Sequence, residues 1–164
     1  MILLYALLLY VVLVWIIGRA VIPHLGFIPE KIPAVIPSEL QSKIEELDFS
    51  SKDNNDFLQK SYAYITQKYT GSRLKTITRF WRAFGDVYKK DPGFLPCTGQ
   101  NFLLRTLLVK SGRFQEDDIK VKTVPLNFFI HQYLAVRVDG VWVDVDPWSS
   151  FLKVPFGQKL SFFA

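Results

Sequence analysis

Cysteine occurs once in the 164 residues and histidine twice. No internal disulfide can form, and no Cys-rich zinc site is available for the chain to fold around. A metal and a cofactor are therefore not expected. Nine glycines and nine prolines give no collagen-like or low-complexity excess. Charge is missing from the N-terminus, where Met1 to Gly18 carry none. Against these absences stand 49% hydrophobic and 15% aromatic residues, too many for a disordered chain, and the length fits one domain. A formal charge of +5 and a pI near 9.3 attract phosphate, whether of nucleic acid or anionic lipid, without fixing a fold.

The uncharged run resumes after Arg19 as Ala20, Val21 and Ile22. A bilayer core needs about 20 apolar helical residues. Arg19 near the end of the run can reach headgroups, and Tyr5, Tyr10 and Trp15 supply interfacial or packing aromatics. A cleaved signal peptide would want a cation before a shorter apolar run, and a buried core helix would carry a polar face. Residues 1–22 are therefore read as a single transmembrane anchor, with the lipid bilayer as a partner. Arg19 and Lys31 follow the span and no cation of a side chain precedes it, which tilts the remaining chain toward the cytoplasm. Pro23, Pro29, Pro33 and Pro37 make residues 23–37 a linker without regular structure. Extended as polyproline II, about fifteen residues at about 3.1 Å each would span roughly 45 Å. His24 is read as interfacial.

Residues 38–164 form the expected domain. Ser38 and Gln41 match a capping box before Leu40, Ile44 and Leu47 at helical spacing. Leu58, Tyr62, Ile65 and Tyr69 predict a second helix, capped by Asn54 or Asn55 and closed by Gly71. Leu74, Ile77, Trp81 and Phe84 predict the apolar face of a third, and residues 98–110 a fourth that stops at Gly112. Period-two, β-branched stretches then predict strands over 119–124, 128–138, 141–145 and, more weakly, 152–156. Helices first and strands afterwards indicate an α+β fold with an antiparallel sheet.

Asp139-Gly140 suits a two-residue hairpin turn, which pairs Val138 with Val141 and, counted outward, His131 with Trp148 and Tyr133 with Asp146. His131 and Asp146 then become diagonal neighbours on one face, about 7–8 Å apart at the backbone and within reach of a side-chain hydrogen bond. Asp144 shares that face and is assigned to Arg137. The opposite face, Ile130, Leu134, Val136, Val138, Val141, Val143 and Val145, with Gln132 the exception, reads as core. Cys97 follows Pro96 and begins a helix, where unpaired N–H groups and the positive dipole end favour a thiolate. Cys97 as nucleophile, His131 as base and later acid, and Asp146 as the group that orients the imidazole make a complete set for acyl transfer. For the oxyanion, the Cys97 backbone N–H is one donor, with Gln100 and Trp81 as candidates for the second.

Cysteine at a helix start, histidine within Phe-Ile-His-Gln-Tyr-Leu-Ala-Val, and Val-Asp-Gly-Val-Trp-Val-Asp-Val-Asp-Pro-Trp resemble the transglutaminase-like superfamily of papain-fold enzymes. The resemblance covers about residues 94–148, and Gly140, Trp142, Asp146 and Pro147 carry its most specific part. It implies a papain-like core of N-terminal helices, with the cysteine helix packed on an antiparallel sheet, and it assigns nucleophile, base and acid to Cys97, His131 and Asp146. The expected activity is amide hydrolysis on a protein or peptide substrate through a thioester. The alternatives are protein cross-linking and a catalytically inactive membrane-tethered scaffold. Between Lys68 and Lys90, seven cations stand against Asp86 alone, interleaved with aromatics. That pattern is open to nucleic acid, but the cations fall opposite the apolar residues, as on a solvated or membrane-facing helix, and nucleic acid is not expected as a partner.

Overall fold

The computed structural model describes residues 1–126 and 129–160. Phe128, where the long central strand is expected to begin, and residues 161–164 lie outside the described residues. The fold is α+β with one apolar helix at the N-terminus. That helix, α1 (residues 2–21), is α-helical over Ile2–Val11 and Gly18–Val21 and π-helical over Val12–Ile17. The stretch Leu3–Val21 is long and apolar enough to cross a membrane. Tyr10, Val14, Trp15 and Gly18 form its half-covered side.

The proline-rich segment is not a free spacer. Leu25 is buried, and Ile32 and Ile36 pack against the main core. Because prolines leave carbonyls without helical or sheet partners, side chains of the domain supply donors instead. Gln132 Nε2 donates to His24 O (3.0 Å), Arg105 Nη1 to Glu30 O (2.5 Å) and Lys110 Nζ to Ala34 O (2.8 Å). At the end of α1, Arg19 turns back and donates to Leu25 O (3.3 Å) and Gly26 O (3.0 Å). His24 is not interfacial: its ring stacks on Phe102 at 4.0 Å, and burial lowers its pKa despite nearby Glu30.

Two helices follow, α2 (Ser38–Ser50) and α3 (Asn54–Lys68). The capping box expected at Ser38 does not form, since Ser38 is already helical and Pro37 stands at the cap, while Gln41 donates instead to Glu45 Oε1. Asp53, not Asn54 or Asn55, caps α3 by accepting from Asp56 N at 2.8 Å. Past α3 the chain extends into β1 (Tyr69–Thr70), so Gly71 is no helix stop. A Cβ there would come within 2.1 Å of Trp148 O, which makes Gly71 a point of close approach between chain segments.

The expected third helix is cut short. It is helical over Arg73–Thr78 (α4), breaks at Arg79 and continues as a 3-10 turn over Phe80–Ala83. Its apolar residues are not core: Leu74 is 70%, Ile77 56% and Trp81 58% exposed. Strand β2 (Gly93–Phe94) then pairs parallel with β1 and leads into α5 (Cys97–Lys110), which Gly112 closes at φ 76°. Helix α5 is buried from Thr98 to Leu108 and lies between α3 and the main sheet.

That sheet is antiparallel in the order β3 (Ile119–Leu126), β4 (Phe129–Val138), β5 (Val141–Val145). Asp139 (φ 50°) and Gly140 (φ 85°) form the two-residue turn, and the expected pairs from Val138↔Val141 to Leu134↔Val145 are present. Leu134, Val136 and Val145 are fully buried, but Val141, at the hairpin tip, is exposed. Arg137 pairs with Asp118 (2.7 Å) rather than Asp144, which lies 3.3 Å from Lys159. The strand expected at 152–156 is absent: Pro147–Leu152 is a 3-10 turn that ends at Lys153 with φ 60°.

Candidate active site

Cys97 is the first residue of α5, and Pro96 before it offers neither an N–H nor a polar side chain; no side chain caps this end. The first N–H groups of a helix lack intrahelical acceptors, so Cys97 sits among unpaired donors at the positive end of a fourteen-residue helix. One turn on, Asn101 Nδ2 donates to Gln132 O at 2.6 Å, and this bond fixes α5 against β4 beside His131. The thiol is partly exposed.

His131 is 1% exposed on β4, and Asp146, also 1% exposed, is the first residue past β5. The ladder stops at Val145, so the strand pair extrapolated to Asp146 does not exist as a backbone pairing. The side chains nevertheless meet, with His131 Nε2 at 2.7 Å from Asp146 Oδ2. Asp146 turns the chain instead of extending it: its Oδ1 accepts from Ser149 N (3.2 Å) and caps the 3-10 turn opened by Pro147. Oδ2 also accepts from Leu160 N at 3.1 Å. A carboxylate held from three directions has one orientation to offer the imidazole.

With Nε2 committed to Asp146, Nδ1 is the ring nitrogen left for Cys97. Burial lowers the His131 pKa, but the hydrogen bond to Asp146 and the charges of Asp146 and neighbouring Cys97 outweigh it and push the value up to about 10. The protonated ring is therefore the favoured form at neutral pH. Trp148 lies against it, ring centroids 5.1 Å apart at 46°, and shields the His131–Asp146 bond from solvent.

Cys97, His131 and Trp148 line a cavity of about 60 Å³ with Pro96, Leu126 and Ile130. A second cavity, of about 140 Å³, shares Pro96, Cys97 and Ile130 with the first, so the thiol lies where two cavities adjoin. The structure brings Cys97, His131 and Asp146 together and leaves out both side chains expected at the oxyanion. Gln100 is fully buried with its Nε2 donated to Leu95 O at 2.7 Å. Trp81 lies on the exposed segment after α4 and lines neither cavity. The site residue that sequence reasoning missed is Trp148, which lines the first cavity beside His131 and whose buried Nε1 has no hydrogen-bond partner among the described residues. The signal available for it was its position two residues after Asp146. The backbone of Leu160, which completes the hold on Asp146, had none. Among the described residues no group of three or more histidine, cysteine or acidic side chains is placed to hold a metal. Compared with protein-family models, with curated proteins and with solved structures, the chain matches none, so the meaning of this site rests on its own geometry.

Proposed function

We propose that the protein is a single-pass, membrane-anchored cysteine acyl-transfer enzyme with a transglutaminase-like, papain-type core, hydrolysing an amide bond. The observation that carries this reading is the buried His131–Asp146 bond at 2.7 Å, with Cys97, at an uncapped helix start, lining the same cavity as the imidazole. In the reactive pair the proton of the Cys97 thiol already resides on His131, whose protonated form is the favoured one. The Sγ then bonds to the substrate carbonyl carbon, and the oxygen gains charge beside the backbone N–H of Cys97 at the helix start. The C–N bond breaks as the amine takes the proton from His131, leaving a thioester. Water adds to it, giving its proton to His131, and the acid leaves as the C–S bond breaks. Asp146 keeps the ring oriented throughout and stabilises its charge.

Iodoacetamide labelling of Cys97 tests the activated thiol. Labelling slowed about 10-fold or more in His131→Ala supports the reading, and equal rates in native and His131→Ala protein contradict it. Anchoring through residues 1–22 is tested by alkaline carbonate washing of membranes. The full chain stays with the pellet if it is anchored and appears in the supernatant if it is not.

A further inference from the structure

Helix α4 and the turn after it present Leu74, Ile77, Phe80 and Trp81 to the outside, each more than half exposed. An apolar, aromatic face of this kind marks an interaction surface. Three observations identify its partner. Ile22, the residue that follows α1, and Leu25 line the same cavity as Phe80, Phe84 and Cys97, so the exposed face and the thiol both adjoin the end of the apolar helix. Strand β4, which carries His131, touches α1 within Val12–Ile17. Exposed Arg73, Arg79 and Lys89 accompany the aromatics, a cation–aromatic mixture suited to anionic headgroups above acyl chains.

We infer that the bilayer surface covers this face and that the cavity between Ile22, Leu25, Phe80 and Phe84 receives the acyl chain of a membrane-resident amide or ester, whose carbonyl then meets Cys97. This rests on the acyl-transfer reading and names its substrate class. A peptide free in solution would have no use for a cavity bounded by the end of the membrane helix. In the reaction the acyl group passes from the amide nitrogen or ester oxygen to Sγ. The freed amine or alcohol takes the His131 proton, and water then releases the fatty acid.

The test uses the full chain in phosphatidylcholine–phosphatidylglycerol vesicles with two probes, the p-nitrophenyl esters of acetate and of dodecanoate. Intact mass and peptide mapping follow acylation of Cys97. The native chain is expected to take the dodecanoyl group about 10-fold or more faster than the acetyl group, and Phe80→Glu to bring that ratio to near one. Phe80 is exposed at the face and also lines the cavity, and the ester's partition into lipid is the same for both chains, so the ratio reports the covered face and the cavity together. A native ratio near one, or the same ratio in native and Phe80→Glu protein, overturns the inference and leaves acyl transfer standing where acetylation still depends on His131. Acetylation of Cys97 at equal rates in native and His131→Ala protein overturns the acyl-transfer reading, and this inference with it.

Discussion

His131 Nε2 lies 2.7 Å from Asp146 Oδ2 even though the strand that delivers Asp146 ends one residue earlier, at Val145. The contact is made by a turn. Asp146 leaves the ladder, caps the 3-10 helix that follows through Ser149 N, and in doing so swings its carboxylate under the imidazole. Trp148, in the same turn, is then brought against the ring. One short segment thus supplies the acid, its orientation and a shield.

Asp146→Asn is expected to lower turnover by up to about 10⁴-fold, since an amide can offer an N–H where the imidazole needs an acceptor. The buried carboxylate also accepts from Ser149 and Leu160, so a stability loss of about 1–3 kcal/mol should accompany it. Asp144→Asn, at a partly exposed pair with Lys159, should change turnover less than about 3-fold, by the small worth of exposed ion pairs. Steady-state turnover of the two variants checks the order, and Asp144→Asn being the more damaging would contradict it.

The raised pKa of His131 links stability to pH. A group whose folded pKa of about 10 exceeds its ordinary 6.5 contributes fully below 6.5 and loses that contribution as pH rises through about 10. The urea midpoint of the full chain in detergent should therefore fall between pH 6.5 and 10, and fall less in His131→Gln. Subtracting the two curves cancels the groups that do not touch His131 and leaves the contribution of His131 with its partners Asp146 and Cys97, and superimposed curves would show that the imidazolium is not held.

Core and site should separate under mutation. Val136 is fully buried, and Val136→Ala should cost about 1–3 kcal/mol through lost packing. Val141→Ala, at an exposed tip, should cost within about 0.5 kcal/mol. Cys97→Ser should shift the melting temperature little, because the thiol is only partly buried. If Cys97→Ser unfolds the domain, the cysteine is a packing residue.

The proline-rich segment belongs to the domain, and truncations should reveal it. A chain lacking residues 1–21 keeps Leu25, Ile32 and Ile36 on the core, whereas one lacking 1–37 exposes their seats and leaves Arg105 without Glu30 O. Burial of even one such side chain is worth about 1.5–3 kcal/mol, so the longer deletion should be less stable by at least about 3 kcal/mol. Equal urea midpoints would return the segment to the status of a free tether.

What the sequence made legible follows from where its signals are local. Asp139-Gly140 dictates a turn by its own backbone preference, and that turn fixed the register of β5 on β4 as far as Val145, while the meeting of His131 with Asp146 is made by the 3-10 turn beyond the ladder. Cys97 at a helix start was equally plain, because Pro96 and the apolar run after it are adjacent to it. Longer-range effects were hidden. The period of Leu74, Ile77, Trp81 and Phe84 marks an amphipathic face but not which side of it the domain covers, and here the face looks outward. Prolines announce an irregular segment, yet whether it floats or packs depends on Arg105, Lys110 and Gln132, distant in sequence. Gly71 read as a helix stop because its neighbours are helical, while the reason for glycine is the carbonyl of Trp148.

The central claim, that Cys97 carries an acyl group during turnover, is tested most directly by intact-mass measurement after brief exposure of the full chain to p-nitrophenyl acetate. The expected result is a single acetyl-sized increase that maps to Cys97, decays with time, is absent in Cys97→Ala and forms about 10-fold or more slowly in His131→Ala. An increase that maps elsewhere, or that forms on Cys97 at the same rate without His131, would contradict the account.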